Sequence, residues 1–235
     1  MIKKAVIKVS LLVILAVVSS IVIYNYFNKT GAPETSITED EKKFKKEYES
    51  LNGKTNASGK EYPNVEIDED NDIVYASYDD IKEVITKGTG VIYFGYPECP
   101  WCRNAVPMLL QAASNTGLDK IYYFNAKEIR DTKALDTDGN VVTTKEGTKE
   151  YYELVDLLST VLGEYEGLND ASIKRLYFPT VVFIKDGKIL GCHIDTLPSQ
   201  TDPRVPLTEE QKSELVNIYT TNIAKISDDV CDDKC

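Results

Sequence analysis

Histidine is nearly missing from this chain: His193 stands alone among 235 residues, beside Cys192. The two-residue alternation of a strand puts such neighbours on opposite faces, so they make no dyad by adjacency. Basic residues are also short. Acids outnumber them 38 to 27, for a formal net charge of −11. Residues 1–30 hold four lysines and no acid, which leaves the other 205 residues at −15. A body of that charge repels phosphate backbones, which argues against nucleic-acid binding. Cysteine is sparse: five in this length do not make a disulfide-dense scaffold. A core of about 150 residues is stable without staples, so the cysteines have other work. Internal repeats are absent too. What is present is a globular balance, with 42% hydrophobic and 28% charged residues.

The acid-free start is patterned. Lys3, Lys4 and Lys8 precede an uncharged, mostly apolar run from Val9 to Asn28, ending in Tyr24, Tyr26 and Phe27. Twenty residues at about 1.5 Å each span roughly 30 Å, one bilayer core, and the aromatic end suits an interfacial belt. Three lysines before the run, against Lys29 after it, place the N-terminus in the cytoplasm and the bulk of the chain outside. A cleaved signal peptide is the competing reading. Val18-Ser19-Ser20 is a passable cleavage site, but Ile21, Val22 and Ile23 prolong the run beyond the usual apolar region of about 7–15 residues. Residues 1–30 are therefore expected to be a transmembrane signal anchor.

Residues 31–71 read as a linker with one short amphipathic helix. Thr38 and Glu41 fit a capping box, Phe44, Tyr48 and Leu51 make one apolar stripe, and Gly53 can close the helix. That single stripe predicts docking on the main domain, with the lysines left to solvent. From 72 to 227, strands alternate with helices. Strands are predicted at 73–75, 91–94 and 121–124, and helices after Ser77, from about Cys99 to Ala113, and over 148–162. A hairpin is predicted at 180–194 around Lys185-Asp186-Gly187-Lys188, and a last helix is capped by Thr208. This is an α/β sheet with one antiparallel end. Asp136-Thr137-Asp138-Gly139-Asn140 matches only the start of a calcium loop, and a polar turn fits better.

The chemistry centres on Cys99-Pro100-Trp101-Cys102, set between a strand with a tight turn (Gly95-Tyr96-Pro97) and a helix. Cys99 falls at the helix N-cap, where unpaired N–H groups and the dipole favour an anion, and the thiolate is the nucleophilic form. Pro100 suits the first helical position. Cys102 follows one turn later, near enough to attack a mixed disulfide. Arg103 adds a positive charge to tune the sulfur, and Glu98 opposes it. A permanent disulfide, or half a zinc site completed by Cys231 and Cys235, remains open, although a zinc knuckle usually puts its CxxC in a hairpin loop.

The strand-CxxC-helix unit, Pro107 at the position of a kink proline, and the run Phe178-Pro179-Thr180 to Lys188 together resemble the thioredoxin superfamily over residues 72–227. The stretch Tyr93 to Cys102 looks most like the thioredoxin-like proteins known as bacteriocin transport accessory proteins. The resemblance implies a thioredoxin-like fold, a central mixed sheet flanked by helices, behind the transmembrane helix. It implies Cys99 as the exposed nucleophile and Cys102 as the buried resolving thiol. It implies Pro179 in cis, placing the Phe178 backbone beside Cys99 for a substrate strand, with Trp101 also facing substrate. No cofactor or metal is expected. The implied partners are protein dithiols or disulfides, the membrane through the N-terminal helix, and a membrane electron donor or transporter. The departures are Tyr93, where thioredoxins proper often carry a buried acid, an uncharged Pro100-Trp101 pair, and an insertion at about 127–172. Residues 228–235 form an acidic tail whose Cys231 and Cys235 fit a local disulfide, a second redox pair or a metal tail. Two functions are open: a membrane-anchored, outward-facing thiol–disulfide oxidoreductase, or a thioredoxin-fold accessory module for a transport system.

Overall fold

A computed structural model describes residues 37–227. The expected membrane segment and the Cys231/Cys235 tail lie outside the described residues. By its contacts the chain divides into two units, Met1–Ile37 and Thr38–Cys235, and every helix and strand described belongs to the second.

Helix α1 (Glu39–Glu49) starts at Thr38 through a complete capping box with Glu41 and ends at Ser50, before the Gly53 suggested by sequence. Two members of its apolar stripe, Phe44 and Tyr48, are fully covered, while Leu51 lies past the helix end and is half-buried. Full burial of such side chains stabilises by about 1.5–3 kcal/mol each, which explains why so polar a helix is held at all. The loop after it leads to β1 (Ile73–Tyr75). Helix α2 (Tyr78–Lys87) is capped by Ser77 and buries Ile81, Val84 and Ile85. Strand β2 (Gly90–Phe94) follows, with Val91 to Phe94 all buried, the continuous apolar run of a strand covered on both faces. Helix α3 (Pro100–Thr116) closes on Gly117 in the left-handed region, at φ 66°. Strand β3 (Ile121–Phe124) completes the first half.

The segment at about 127–172, expected as an insertion, contributes β4 (Thr132–Leu135), β5 (Val141–Lys145) and α4 (Lys149–Leu157). The β4–β5 pair is a separate two-stranded ribbon that sequence reading missed. Every residue of β5 is exposed, so no one-sided apolar alternation marks it. Its turn is the polar one expected: Asp136 accepts from the backbone N–H groups of Asp138 and Asn140 at 2.9 and 2.8 Å. Helix α4 ends at Leu157 rather than 162.

Strands β6 (Thr180–Lys185) and β7 (Lys188–Ile194) form the hairpin, turning through Asp186 and Gly187 at φ 50° and 70°. Both central residues of this turn need positive φ, which Asp-Gly supplies. Helix α5 (Glu209–Ile226) is capped by Thr208 with Gln211.

The five-stranded sheet runs β1-β3-β2-β6-β7. β1 and β2 pair with β3 in parallel; β6 and β7 are antiparallel additions. Helices α3 and α5 pack on each other, with α5 also over β6 and β7, while α2 packs against β3, β6 and β7. The result is the mixed α/β architecture read from the sequence, a central mixed sheet flanked by helices.

Candidate functional site

Sheet register brings the sequence-distant parts together. Phe94, the last residue of β2, pairs with Thr180, the first of the antiparallel β6. The chain leaving β2 towards Cys99 must therefore pass the chain entering β6 through Phe178 and Pro179. The Phe178–Pro179 peptide is cis. The Cys99 Sγ–H donates to the Phe178 carbonyl at 3.5 Å.

Cys99 is the N-cap of α3, with Pro100 in its first turn. The cap is made by sulfur itself: the Cys102 backbone N–H donates to Cys99 Sγ at 3.2 Å. A hydroxyl or carboxylate usually takes this place. Here the donor offers its hydrogen bond to whatever charge the sulfur carries, which is the chemistry a nucleophilic thiolate needs. Both cysteines are free thiols. Their exposures differ less than the resemblance implies. Cys99 keeps 4% and Cys102 none, so the expected nucleophile lies under the surface rather than on it. What remains open is on the Cys99 side.

Cys102 is held protonated by burial foremost, and by the hydrogen bond and charge of Cys99; the Tyr96 backbone and the Tyr93 hydroxyl pull the other way. Tyr93 is thus the side chain that opposes burial at Cys102. Its hydroxyl meets that of Tyr48 from α1 at 2.7 Å, both fully enclosed. Burial raises both phenols well above their ordinary value, so both stay neutral donors. Gly95 permits this: a Cβ there would stand 2.1 Å from the Tyr93 hydroxyl. Sequence reading noted Tyr93 only as a missing acid. Nothing local marks Tyr48 as its partner, 45 residues away.

Arg103, expected to tune Cys99, is spent elsewhere. Its guanidinium is buried and donates to the carbonyls of Pro63, Tyr48 (2.8 Å) and Pro97 (3.1 Å) and to Asn52 Oδ1 (2.7 Å). None of these bonds reaches a sulfur. Trp101 is half-buried against the core. Pro107 lies inside α3. Cys192 and His193 stay apart from this centre. Burial pushes the Cys192 thiol up to about 12, and His193 bonds the Thr196 carbonyl at 2.7 Å.

The rim of the site carries groups that sequence reading did not single out. The Tyr96 and Phe178 rings meet edge-on at 5.4 Å. Lys127 lies 4.9 Å over Tyr96 and pairs with Glu98 at 3.7 Å. Arg130 lies 4.7 Å over Phe178. Among the described residues, the carboxylates of Glu41, Asp70 and Asp72 form the one group of potential metal ligands within 4.8 Å of one another, and it contains neither cysteine.

Neither a family model nor a curated protein matches the chain. Among solved structures it matches the J-Trx1 fragment of ERdj5, at 13% identity and a TM-score of 0.32, over 66% of this chain and 53% of that one. The chain therefore spans about half the length of that fragment.

Proposed function

We propose that the protein is a thiol–disulfide oxidoreductase acting on protein cysteines through Cys99 and Cys102. The observation that carries this reading is the Cys102 N–H pointing at Cys99 Sγ, with the Cys102 thiol enclosed one turn behind it. In the reducing direction, the Cys99 thiolate attacks one sulfur of a substrate disulfide. That S–S bond breaks, and the departing sulfur leaves as a thiolate that takes a proton from solvent. Cys102 then loses its proton and attacks Cys99 Sγ, forming the Cys99–Cys102 disulfide and releasing the second substrate thiol. Two electrons have moved from the pair to the substrate, and the oxidising direction is the reverse. Burial and the Cys99 thiolate together keep Cys102 neutral, and once Cys99 is tied up in the mixed disulfide its opposing charge is gone, which eases ionisation of Cys102 for the resolving step. Phe178, Pro179 and Trp101 supply the wall against which a substrate strand lies. The lysine-flanked N-terminal run supports a place on the outer face of a membrane, where disulfide chemistry persists.

Insulin disulfide reduction by the full-length protein in detergent, with dithiothreitol as electron source, tests this. Cys99→Ser should abolish the acceleration. Equal rates for both proteins would move the assignment to an accessory module without turnover.

A further inference from the structure

In a chain of net charge −11, an arginine without a carboxylate is unexpected, and two together are more so. Arg130 and Arg175 are such a pair. Other cations at this rim are matched: Lys127 pairs with Glu98 at 3.7 Å, and Lys133 with Asp131 at 3.3 Å. Among the described residues neither arginine pairs with an acid. Arg130 makes one long hydrogen bond, 3.4 Å to the Leu176 carbonyl, and otherwise lies 4.7 Å over the Phe178 ring. The Arg175 Nε is buried without a partner among the described residues, and the guanidinium lies 4.1 Å over Tyr165 and 5.7 Å from Tyr177. Ring faces hold both guanidinium groups, and the Arg175 Nε–H is left without a partner among the described residues.

The pair is close to itself and to the redox centre. Arg130 donates to the carbonyl of Leu176, the residue after Arg175, and the Arg175 charge adds to burial in lowering the Arg130 pKa. The Tyr96 ring meets Phe178 edge-on at 5.4 Å, and burial raises its phenol to about 12, with Cys99 and Cys102 pushing the same way and Arg130 pulling back. Phe178 links them physically: its carbonyl receives the Cys99 thiol and its ring receives Arg130. Two half-buried like charges are costly alone and favourable once an anion joins them.

We propose that Arg130 and Arg175 form an anion subsite beside Cys99 that receives an acidic side chain flanking the substrate cysteine. A carboxylate fits the planar donor fork of a guanidinium, and two forks select it over a neutral amide of the same shape. This rests on the oxidoreductase reading for its substrate. The subsite joins the start of the insertion, which brings Arg130, to the segment entering Phe178, which brings Arg175. It thereby gives the insertion a part in specificity.

The test uses the full-length protein in detergent with two disulfide peptides, identical except for Glu or Gln next to the cysteine. At low ionic strength the Glu peptide should be reduced about tenfold faster, the return expected of a charge-assisted hydrogen bond. The ratio should fall towards one in Arg130→Gln and in Arg175→Gln, and with added salt. Because the ratio is taken within each protein, a folding defect that slows both peptides leaves it unmoved. A ratio near one in the wild type, or a ratio kept by both variants, overturns the subsite. If the wild type reduces neither peptide, the oxidoreductase reading fails and binding decides. Peptides carrying Ser for Cys are then titrated by Trp101 fluorescence. Tighter binding of the Glu peptide that both variants lose upholds the subsite, and equal binding overturns it.

Discussion

Tyr93, the polar side chain that opposes burial at Cys102, decides the fate of the Cys102 proton. A carboxylate can take that proton; a neutral phenol can only donate to the thiolate left behind. The Tyr93 hydroxyl, which also shares a 2.7 Å hydrogen bond with Tyr48, lowers the cost of charging an otherwise enclosed sulfur. Burial raises the Cys102 pKa, so the resolving step speeds up with increasing pH as the thiolate fraction grows. Tyr93→Phe removes the opposing donor and raises the Cys102 pKa further. Near neutral pH, decay of a preformed Cys99 mixed disulfide with a chromogenic thiol should slow about tenfold, and the profile should move about one unit to the alkaline side. Stopped-flow release of the chromophore measures both. An unmoved pH profile would mean that the hydroxyl only fills space. The Cys99 cap itself was legible in sequence, because an N-cap sulfur, a proline at the first helical position and a second sulfur one turn on are local features. The Tyr48–Tyr93 contact was not, because it joins residues 45 apart through a fold that had yet to be placed.

At the scale of elements, the same divide separates what sequence reading reached from what it missed. Helices α1, α2 and α5 announce themselves by caps and one-sided apolar spacing, and each begins at the residue its cap predicts. The β4–β5 ribbon does not, since a strand solvated on both faces has no reason to alternate. Arg103 was misjudged for a different reason. Its position next to Cys102 suggested an electrostatic role, but the α3 face that carries it looks onto the backbone of the α1 segment. There it satisfies the carbonyls of Tyr48 and Pro63 and the side chain of Asn52. It therefore ties the segment bearing Tyr48 to the helix bearing the redox pair. Arg103→Ala leaves those buried acceptors unpaired and should cost about 3 kcal/mol in urea unfolding. The Cys99–Cys102 potential, titrated against glutathione, should stay within about 30 mV, the equivalent of about 1.4 kcal/mol. A larger shift with unchanged stability would restore the tuning role and remove the structural one.

For the whole molecule the decisive asymmetry is charge. The first thirty residues are basic and largely apolar, while the rest of the chain is strongly acidic. An acidic body is repelled by anionic headgroups, so electrostatics alone would keep it off a lipid surface. Among the described residues no helix is long and apolar enough to cross a bilayer. We propose that the run Val9–Asn28 anchors the protein in a membrane, since twenty residues in a helix would span roughly 30 Å, one hydrocarbon core. Two outcomes separate insertion from adhesion. Held by a spanning helix, the full-length protein should stay in the membrane pellet after alkaline carbonate washing and after high salt. Protease added from outside should digest everything beyond the first thirty residues. Adhesion would release the protein into the wash, since the acidic body has nothing to bind once salt screens the four N-terminal lysines. A carbonate-resistant protein whose redox domain is shielded from outside protease would retain the anchor and reverse the orientation. Cys99 would then face a compartment where glutathione keeps thiols reduced.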